Sequence, residues 1–138
     1  MIKSMKIQWL FLTAFLVFSS AAAHLYDYAQ DEVINNVRLA MKTGSSKELS
    51  QYFGSIVELN FDGEKSSYSK SQAEFVLKDF FKKNPPVNFE YIHQGSSKQG
   101  FRYTIGNYTV QGSSFRVYIL FKKDEDSYYV DTIDFTRE

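Results

Sequence analysis

The stretch SKSQAEFVLKDFFKKNPPVNFEY, residues 69–91, contains the change of hydrophobic period that decides the fold. In its first half, apolar side chains recur every three or four positions, which is the spacing of the buried stripe of a helix. Ser69 and Gln72 have the spacing of a capping box, and Pro85-Pro86 ends the helix because proline has no N–H to donate. In its second half, apolar and polar residues alternate, as they do in a strand. The stretch therefore predicts a helix over residues 70–83 followed by a strand over residues 87–94.

The segments on either side of this stretch extend the pattern. Upstream, apolar residues at helical spacing predict a helix over residues 31–43, and Ser45 with Glu48 opens a second, short helix. A strand over residues 56–61, a turn at Asp62-Gly63 and a short return strand follow. Downstream, alternation predicts three further strands, over residues 101–110, 115–123 and 128–136. Helices followed by an antiparallel meander indicate an α+β fold of order α-α-β-β-α-β-β-β-β, with helices covering one face of the sheet.

The pairing of the last four strands predicts which side chains face the helices. Partners whose residue numbers sum to an even value place apolar residues opposite one another in all three hairpins. Examples are Phe89 with Ile105, Tyr91 with Tyr103, Ile105 with Ile119, and Val117 with Ile133. Odd-numbered residues of all four strands then share one face, because a slip by one residue would turn every side chain over. The candidate cavity on that face is formed by Tyr91, His93, Tyr103 and Asp131.

Asp131 is the sharpest consequence of this register. It is expected in a row with Phe89, Ile105 and Ile119, where loss of hydration raises the pKa of a carboxyl group. Candidate hydrogen-bond donors to it are Tyr91, His93, Tyr103 and Tyr129. The alternative is a β-bulge, near Gly106 or in the last strand, that turns Asp131 to water.

The first 23 residues have the three parts of a secretory signal peptide. Two lysines supply the positive start, residues 7–18 supply an apolar run, and Ala21 with Ala23 supplies the small side chains before a cut at His24. The alternative is an uncleaved anchor, but a spanning helix needs about 20 apolar residues, and this run is shorter. We therefore predict a signal peptide over residues 1–23 and a single domain over residues 24–138. The domain is expected to be exported, periplasmic or extracellular, with no stable membrane anchor after cleavage.

Composition narrows the chemistry of the predicted domain. The chain has no cysteine, which excludes disulfides, thiolate metal sites and acylation of a cysteine after cleavage. Sixteen basic and sixteen acidic residues balance, and loss of Lys3 and Lys6 with the signal peptide leaves a formal charge of −2. Such a chain lacks the positive field that nucleic-acid binding requires. The acidic run Asp124-Glu125-Asp126 lacks the glycine of a calcium loop, so we predict no metal and no cofactor.

Two segments, residues 68–74 and 77–86, resemble an uncharacterised family of small exported bacterial proteins. Phe89, the run His93-Gln94-Gly95 and the pair Ile105-Gly106 fit the same family. It is a domain of unknown function in the nuclear transport factor 2-like superfamily, and the likeness covers nearly the whole predicted domain. The resemblance implies a cone in which helices back a strongly curved sheet. It implies no activity, because the superfamily includes isomerases, dehydratases and hydrolases as well as non-enzymatic binding and dimerisation modules.

Two classes of function stay open. The first is a non-catalytic module that binds a small apolar molecule or a protein partner through an aromatic-lined cavity or the sheet surface. The second is an enzyme of isomerase, dehydratase or hydrolase type that uses Asp131 and His93 as acid and base. We favour the first. Phe75, opposite the buried stripe of the predicted helix, marks a candidate partner surface, and a weak homodimer is expected.

Overall fold

The computed structural model describes residues 31–125 and 127–138. Residues 31–43 form helix α1. The elements that follow are α2 (Ser46–Ser50), β1 (Phe53–Phe61), β2 (Glu64–Ser69), α3 (Lys70–Lys83), β3 (Asn88–Ser96), β4 (Arg102–Val110), β5 (Ser113–Asp124) and β6 (Ser127–Arg137). The predicted signal peptide, residues 1–23, lies outside the described residues, as do Ala21 and Ala23 at its predicted cleavage site. Within the described ranges, no helix is long and apolar enough to cross a membrane.

One six-stranded sheet carries the fold, with the strands in the order β2-β1-β6-β5-β4-β3. Neighbouring strands are antiparallel except for β1 and β6, which run parallel. Register shifts interrupt the pairing of β1, β3 and β6, and bulges of this kind bend a sheet. Buried side chains of α1 and α3 join those of one sheet face in a single core. The predicted α+β fold, with helices on one face of a curved sheet, is confirmed.

Aromatic side chains fill the core between the helices and the sheet. Phe89 and Tyr108 have no exposed surface, and Phe115 is 2% exposed. The ring of Tyr108 lies between the other two, with centroid distances of 6.4 Å to Phe89 and 6.1 Å to Phe115. Leu77 and Phe81 are the α3 side chains that are buried in this core together with Ala73. The aromatic-rich composition of the chain is therefore used largely for packing.

Helix α3 has the bounds that the sequence predicts, and its capping box is formed in both directions. The Gln72 N–H donates to Ser69 Oγ at 3.3 Å, and the Ser69 N–H donates to Gln72 Oε1 at 3.1 Å. At the other end, the Asn84 N–H donates to the Phe80 carbonyl at 2.8 Å. Phe75 lies opposite the buried stripe and is 75% exposed, as predicted.

The predicted register is wrong for β4. Phe89 pairs with Tyr108 and not with Ile105, and Tyr108 in turn pairs with Phe115. Even-numbered residues of β4 therefore face the helices, and Ile105 faces away from them. This strand carries apolar residues at both odd and even positions, so alternation alone does not choose its buried face. The choice is made by packing, because Gly106 leaves room for the Phe89 ring directly above it.

A bulge at Asp131 sets the register of the last hairpin. Val117 pairs with Phe135 where the sequence predicts Ile133. Further along, the pairs are Leu120 with Thr132 and then Phe121 with Val130, so Asp131 has no partner on β5. The predicted row of Asp131 with Phe89, Ile105 and Ile119 does not form. The alternative considered above, a bulge in the last strand, is confirmed.

Candidate functional site

The residues predicted to share a cavity lie on two faces of the sheet. Tyr91 is on the helix side, where its hydroxyl donates to the Ile34 carbonyl at 2.7 Å, and burial raises the pKa of that hydroxyl. A register shift in β3 between Tyr91 and His93 reverses the alternation, so His93 pairs with Ile105 on the other face. Tyr103 lies on that other face too, with its hydroxyl 3.2 Å from His93 Nε2. The predicted cavity is therefore not assembled.

Asp131 occupies a separate position at the bulge of β6. Its Oδ1 lies 3.2 Å from Lys122 Nζ, and its Oδ2 accepts a hydrogen bond from the Thr132 hydroxyl at 2.9 Å. Asp131 is on β6 and His93 on β3, so three strand spacings, or roughly 14 Å, separate them. An acid and a base that act together must both reach the reacting atoms by hydrogen bonds. The acid–base pair that the sequence suggests is not brought together.

The sheet face opposite the helices, here called the open face, carries a block of four partly exposed apolar side chains: Tyr103, Ile105, Tyr118 and Leu120. Ile105 is directly opposite Tyr118, and Tyr103 is directly opposite Leu120. The two tyrosine rings stack with centroids 6.0 Å apart and planes inclined by 28°. The pKa of Tyr118 is raised, first by burial and then by Tyr103 and Asp131 nearby. Aromatic side chains of this kind are enriched at the centres of protein interfaces.

Two ion pairs flank this block. Arg116 forms an ion pair with Glu138 at 2.6 Å, at one side of the block. The Lys122–Asp131 pair described above lies at the other side. Asp134, directly opposite Tyr118 on β6, accepts hydrogen bonds from Asn60 and Thr136 but forms no ion pair with any described residue, so the open face carries one carboxylate in excess. Exposed ion pairs of this kind add little to stability, which leaves them free to rearrange against a partner.

A second concave surface, here called the aromatic pocket, lies where α3 ends beside the β1–β2 turn. Its volume is about 330 Å³. The wall is formed by Phe61, Phe80 and Phe115, with centroid distances from Phe80 of 5.1 Å to Phe61 and 5.4 Å to Phe115. Phe61 and Phe80 are half-buried, so their rings form an apolar wall that solvent reaches.

Sequence reasoning named the sheet surface as a candidate binding surface but not the residues of its open face, and it did not identify the aromatic pocket. It assigned the odd-numbered residues of β4 to the interior, which removed Tyr103 and Ile105 from the open face. The aromatic pocket joins the turn residue Asp62 to Arg137, which is 75 positions away along the chain. No short motif signals a contact over that distance. In the part of the chain that the structure describes, no group of three or more His, Asp or Glu side chains is placed to hold a metal ion.

Helices packed on one face of a bent six-stranded sheet form an α+β fold like that of nuclear transport factor 2-like (NTF2-like) proteins. The family model for DUF4783, a domain of unknown function, matches residues 34–136. The chain belongs to this family, which agrees with the resemblance drawn from the sequence.

Solved structures of relatives agree with this assignment. A DUF4783 family protein from Bacteroides ovatus is 33% identical with a TM-score of 0.71, over 75% of this chain and 93% of that one. One from Bacteroides uniformis is 28% identical with the same TM-score, over 75% of this chain and 95% of that one. An NTF2-like protein of unknown function from Shewanella baltica is 14% identical with a TM-score of 0.59, over 80% and 92% of the two chains, and shows the fold alone. No curated protein matches the chain.

Proposed function

We propose that this protein is an exported, non-catalytic binding module whose open face holds a protein partner, and that the partner is a second copy of the same chain. The observation that carries the proposal is the Tyr103–Tyr118 stack, flanked by Ile105 and Leu120 on the sheet face that no described helix covers. Tyrosine is enriched at the centres of protein interfaces, because its ring buries a large area while its hydroxyl keeps a polar partner.

Two features of the charged groups support binding of a second copy. Arg116 and Lys122 are each paired within the same chain, so neither cation is free to attract an acidic partner. In a two-fold dimer the same patch contacts itself, and a patch that carries both signs can place each charge against its opposite in the second copy. The surface is therefore suited to isologous pairing.

Catalysis is the less favoured function, because the proposed acid and base, Asp131 and His93, are too far apart to act on one substrate. His93 contacts Tyr103 on the open face, and Asp131 is paired with Lys122 three strands away. A reacting atom within hydrogen-bond distance of one of these groups is out of reach of the other.

Export is the second part of the proposal, and it rests on the three-part pattern of residues 1–23. Expression of the full chain in a bacterial host is expected to yield a periplasmic or extracellular product whose first residue is His24. N-terminal sequencing of the product after cell fractionation checks this. A membrane-bound product that retains Met1 contradicts the cleavage.

The role of the open face in dimer formation can be tested by comparing substitutions of two aromatic residues, one on the open face and one on α3. Sedimentation equilibrium of the purified protein is expected to show a weak dimer. Tyr118→Ser is expected to weaken it by about 2 kcal/mol, or on the order of thirtyfold in the dissociation constant, because the substitution removes a central aromatic side chain. Phe75→Ser is the matched control, since Phe75 is more exposed but lies on α3, and it is expected to leave the dimer unchanged.

Two results would contradict the proposal. One is a monomer at every concentration. The other is loss of the dimer in Phe75→Ser with retention in Tyr118→Ser, which would transfer the partner surface to α3. Circular dichroism of both variants shows that each is folded before it is compared.

A further inference from the structure

The rim of the aromatic pocket carries four charged side chains, two of which neutralise each other. Lys83 Nζ lies 2.8 Å from Asp79 Oδ2, one helical turn away on α3. The other two are Asp62 and Arg137, and they are not joined by an ion pair. Once the helix pair is set aside, the pocket offers one carboxylate and one guanidinium to a ligand.

Arg137 is held at the edge of the pocket by an aromatic ring. The carbon of its guanidinium lies 4.5 Å from the centroid of Phe115, within the range of a cation–π contact. No carboxylate of the described residues lies within ion-pair distance of it. A guanidinium has five N–H donors. Because the Arg137 guanidinium is positioned by a ring and not by a carboxylate, it can bind an anion through two parallel hydrogen bonds.

Asp62 is fixed directly beside Arg137. Its Oδ1 accepts a hydrogen bond from the backbone N–H of Arg137 at 2.7 Å, which ties the β1–β2 turn to the end of β6. Asp62 has a φ of 53°, a left-handed turn conformation that aspartate tolerates better than most residues. Its second oxygen makes no hydrogen bond within the described part of the chain, so it can accept one from a ligand.

We infer that the aromatic pocket binds an apolar α-amino acid. The carboxylate of the ligand pairs with Arg137, its ammonium group pairs with Asp62, and its side chain lies on Phe61 and Phe80. A volume of 330 Å³ is at the lower end of the range for small-molecule sites and suits a ligand of this size. The site is on a different surface from the open face, so the inference does not depend on the proposed dimer.

The balance of charges selects the zwitterion over ligands of a single charge. An anion that pairs with Arg137 meets the Asp62 carboxylate next to it, and a cation that pairs with Asp62 meets the guanidinium. Only a ligand with both groups satisfies both residues. A charge-assisted hydrogen bond is roughly twice as strong as a neutral one, so removal of either charge from the ligand is expected to lower affinity on the order of tenfold or more.

The inference is tested by NMR titration of the isotope-labelled protein with three ligands at constant ionic strength: L-phenylalanine, its amide and phenylpropionate. The three share one ring and differ in which charges they carry. L-phenylalanine is expected to bind most tightly, with saturable shifts at the β1–β2 turn, the end of α3 and the end of β6. Equal affinity for all three, shifts confined to the open face, or no saturable shift with L-phenylalanine would each overturn the inference.

Matched variants separate the two charged contacts. Asp62→Asn keeps an oxygen that can accept from the Arg137 N–H, and asparagine tolerates a positive φ, so the turn is expected to be retained. Arg137→Gln removes the guanidinium without touching the turn. Both are expected to abolish the preference for the zwitterion, whereas Arg116→Gln on the open face keeps it. Preference retained in Arg137→Gln would refute the site, whether or not the Asp62 variant folds.

Discussion

Substitution of Gly106 by valine is expected to prevent stable folding, and substitution by alanine is expected to cost about 1–3 kcal/mol of unfolding free energy. A Cβ atom at Gly106 would lie 2.6 Å from the Phe89 ring and 3.0 Å from the backbone oxygen of Glu90. The ring cannot retreat, because Phe89 is fully buried and lies against both Tyr91 and Tyr108. Valine adds two methyl groups at the same place.

A double-mutant cycle identifies the cause of this effect. If the Phe89 ring is what excludes a side chain, Gly106→Ala costs less in a Phe89→Leu background than in the natural chain, and the two changes are not additive. Urea unfolding followed by circular dichroism measures each free energy. Strict additivity would mean that the crowding comes from the backbone of β3 and not from the ring.

Tyr108→Ala is expected to cost about 3–5 kcal/mol, as for other large aromatic side chains removed from a core. Tyr108 has no exposed surface, and its hydroxyl donates to the Asn84 carbonyl at 2.5 Å. That bond ties β4 to the residue that ends α3. Tyr108→Phe retains the ring and removes only the donor, so it is expected to cost about 1–3 kcal/mol. A cost for Tyr108→Phe as large as that of Tyr108→Ala would show that the bond, and not the packing, dominates.

The same hydroxyl makes the stability of the protein fall with rising pH in the alkaline range. Burial raises the pKa of Tyr108 in the folded protein above the value near 10 that a tyrosine has in an unfolded chain. The contribution of the Tyr108 hydroxyl to the free energy of unfolding is therefore complete below pH 10. It is lost as the pH rises toward the pKa of the folded state, since only the unfolded state releases the proton in that range. Tyr108→Phe is expected to show a shallower alkaline loss of stability than the natural chain. An unchanged slope would assign the loss to Tyr91 or Tyr118, whose pKa values burial also raises.

Local signals in the sequence are sufficient for the helices and for the order of elements. The bounds of α3 follow from a capping box at Ser69 and from Pro85-Pro86, and both act within a few residues of the helix ends. The turn at Asp62-Gly63 follows from residues that accept a positive φ. These features depend on neighbours in the chain, so a single sequence contains what is needed to predict them.

The register of the sheet needs information that is not local. The alternation of odd- and even-numbered residues assigns one face to each set along a whole strand. The unpaired residues Ile92 and Asp131 reverse that assignment partway along β3 and β6. No residue type marks either bulge. The predicted cavity failed for this reason, because Tyr91 and His93 are two positions apart but lie on opposite faces. The aromatic pocket was not predicted because the parallel contact of β1 with β6 brings Asp62 to Arg137.

The position of β6 in the sheet has a consequence for the order of folding. This strand follows all the others in the described chain, yet it lies third in the sheet, between β1 and β5. The β1–β2 hairpin and the β3–β5 meander have no direct strand pairing, so they remain two separate pieces until β6 joins them. Contacts between residues this distant in the chain form slowly, because a long loop must close first. The complete sheet therefore forms only once β6 is available, whatever the order in which the other strands pair.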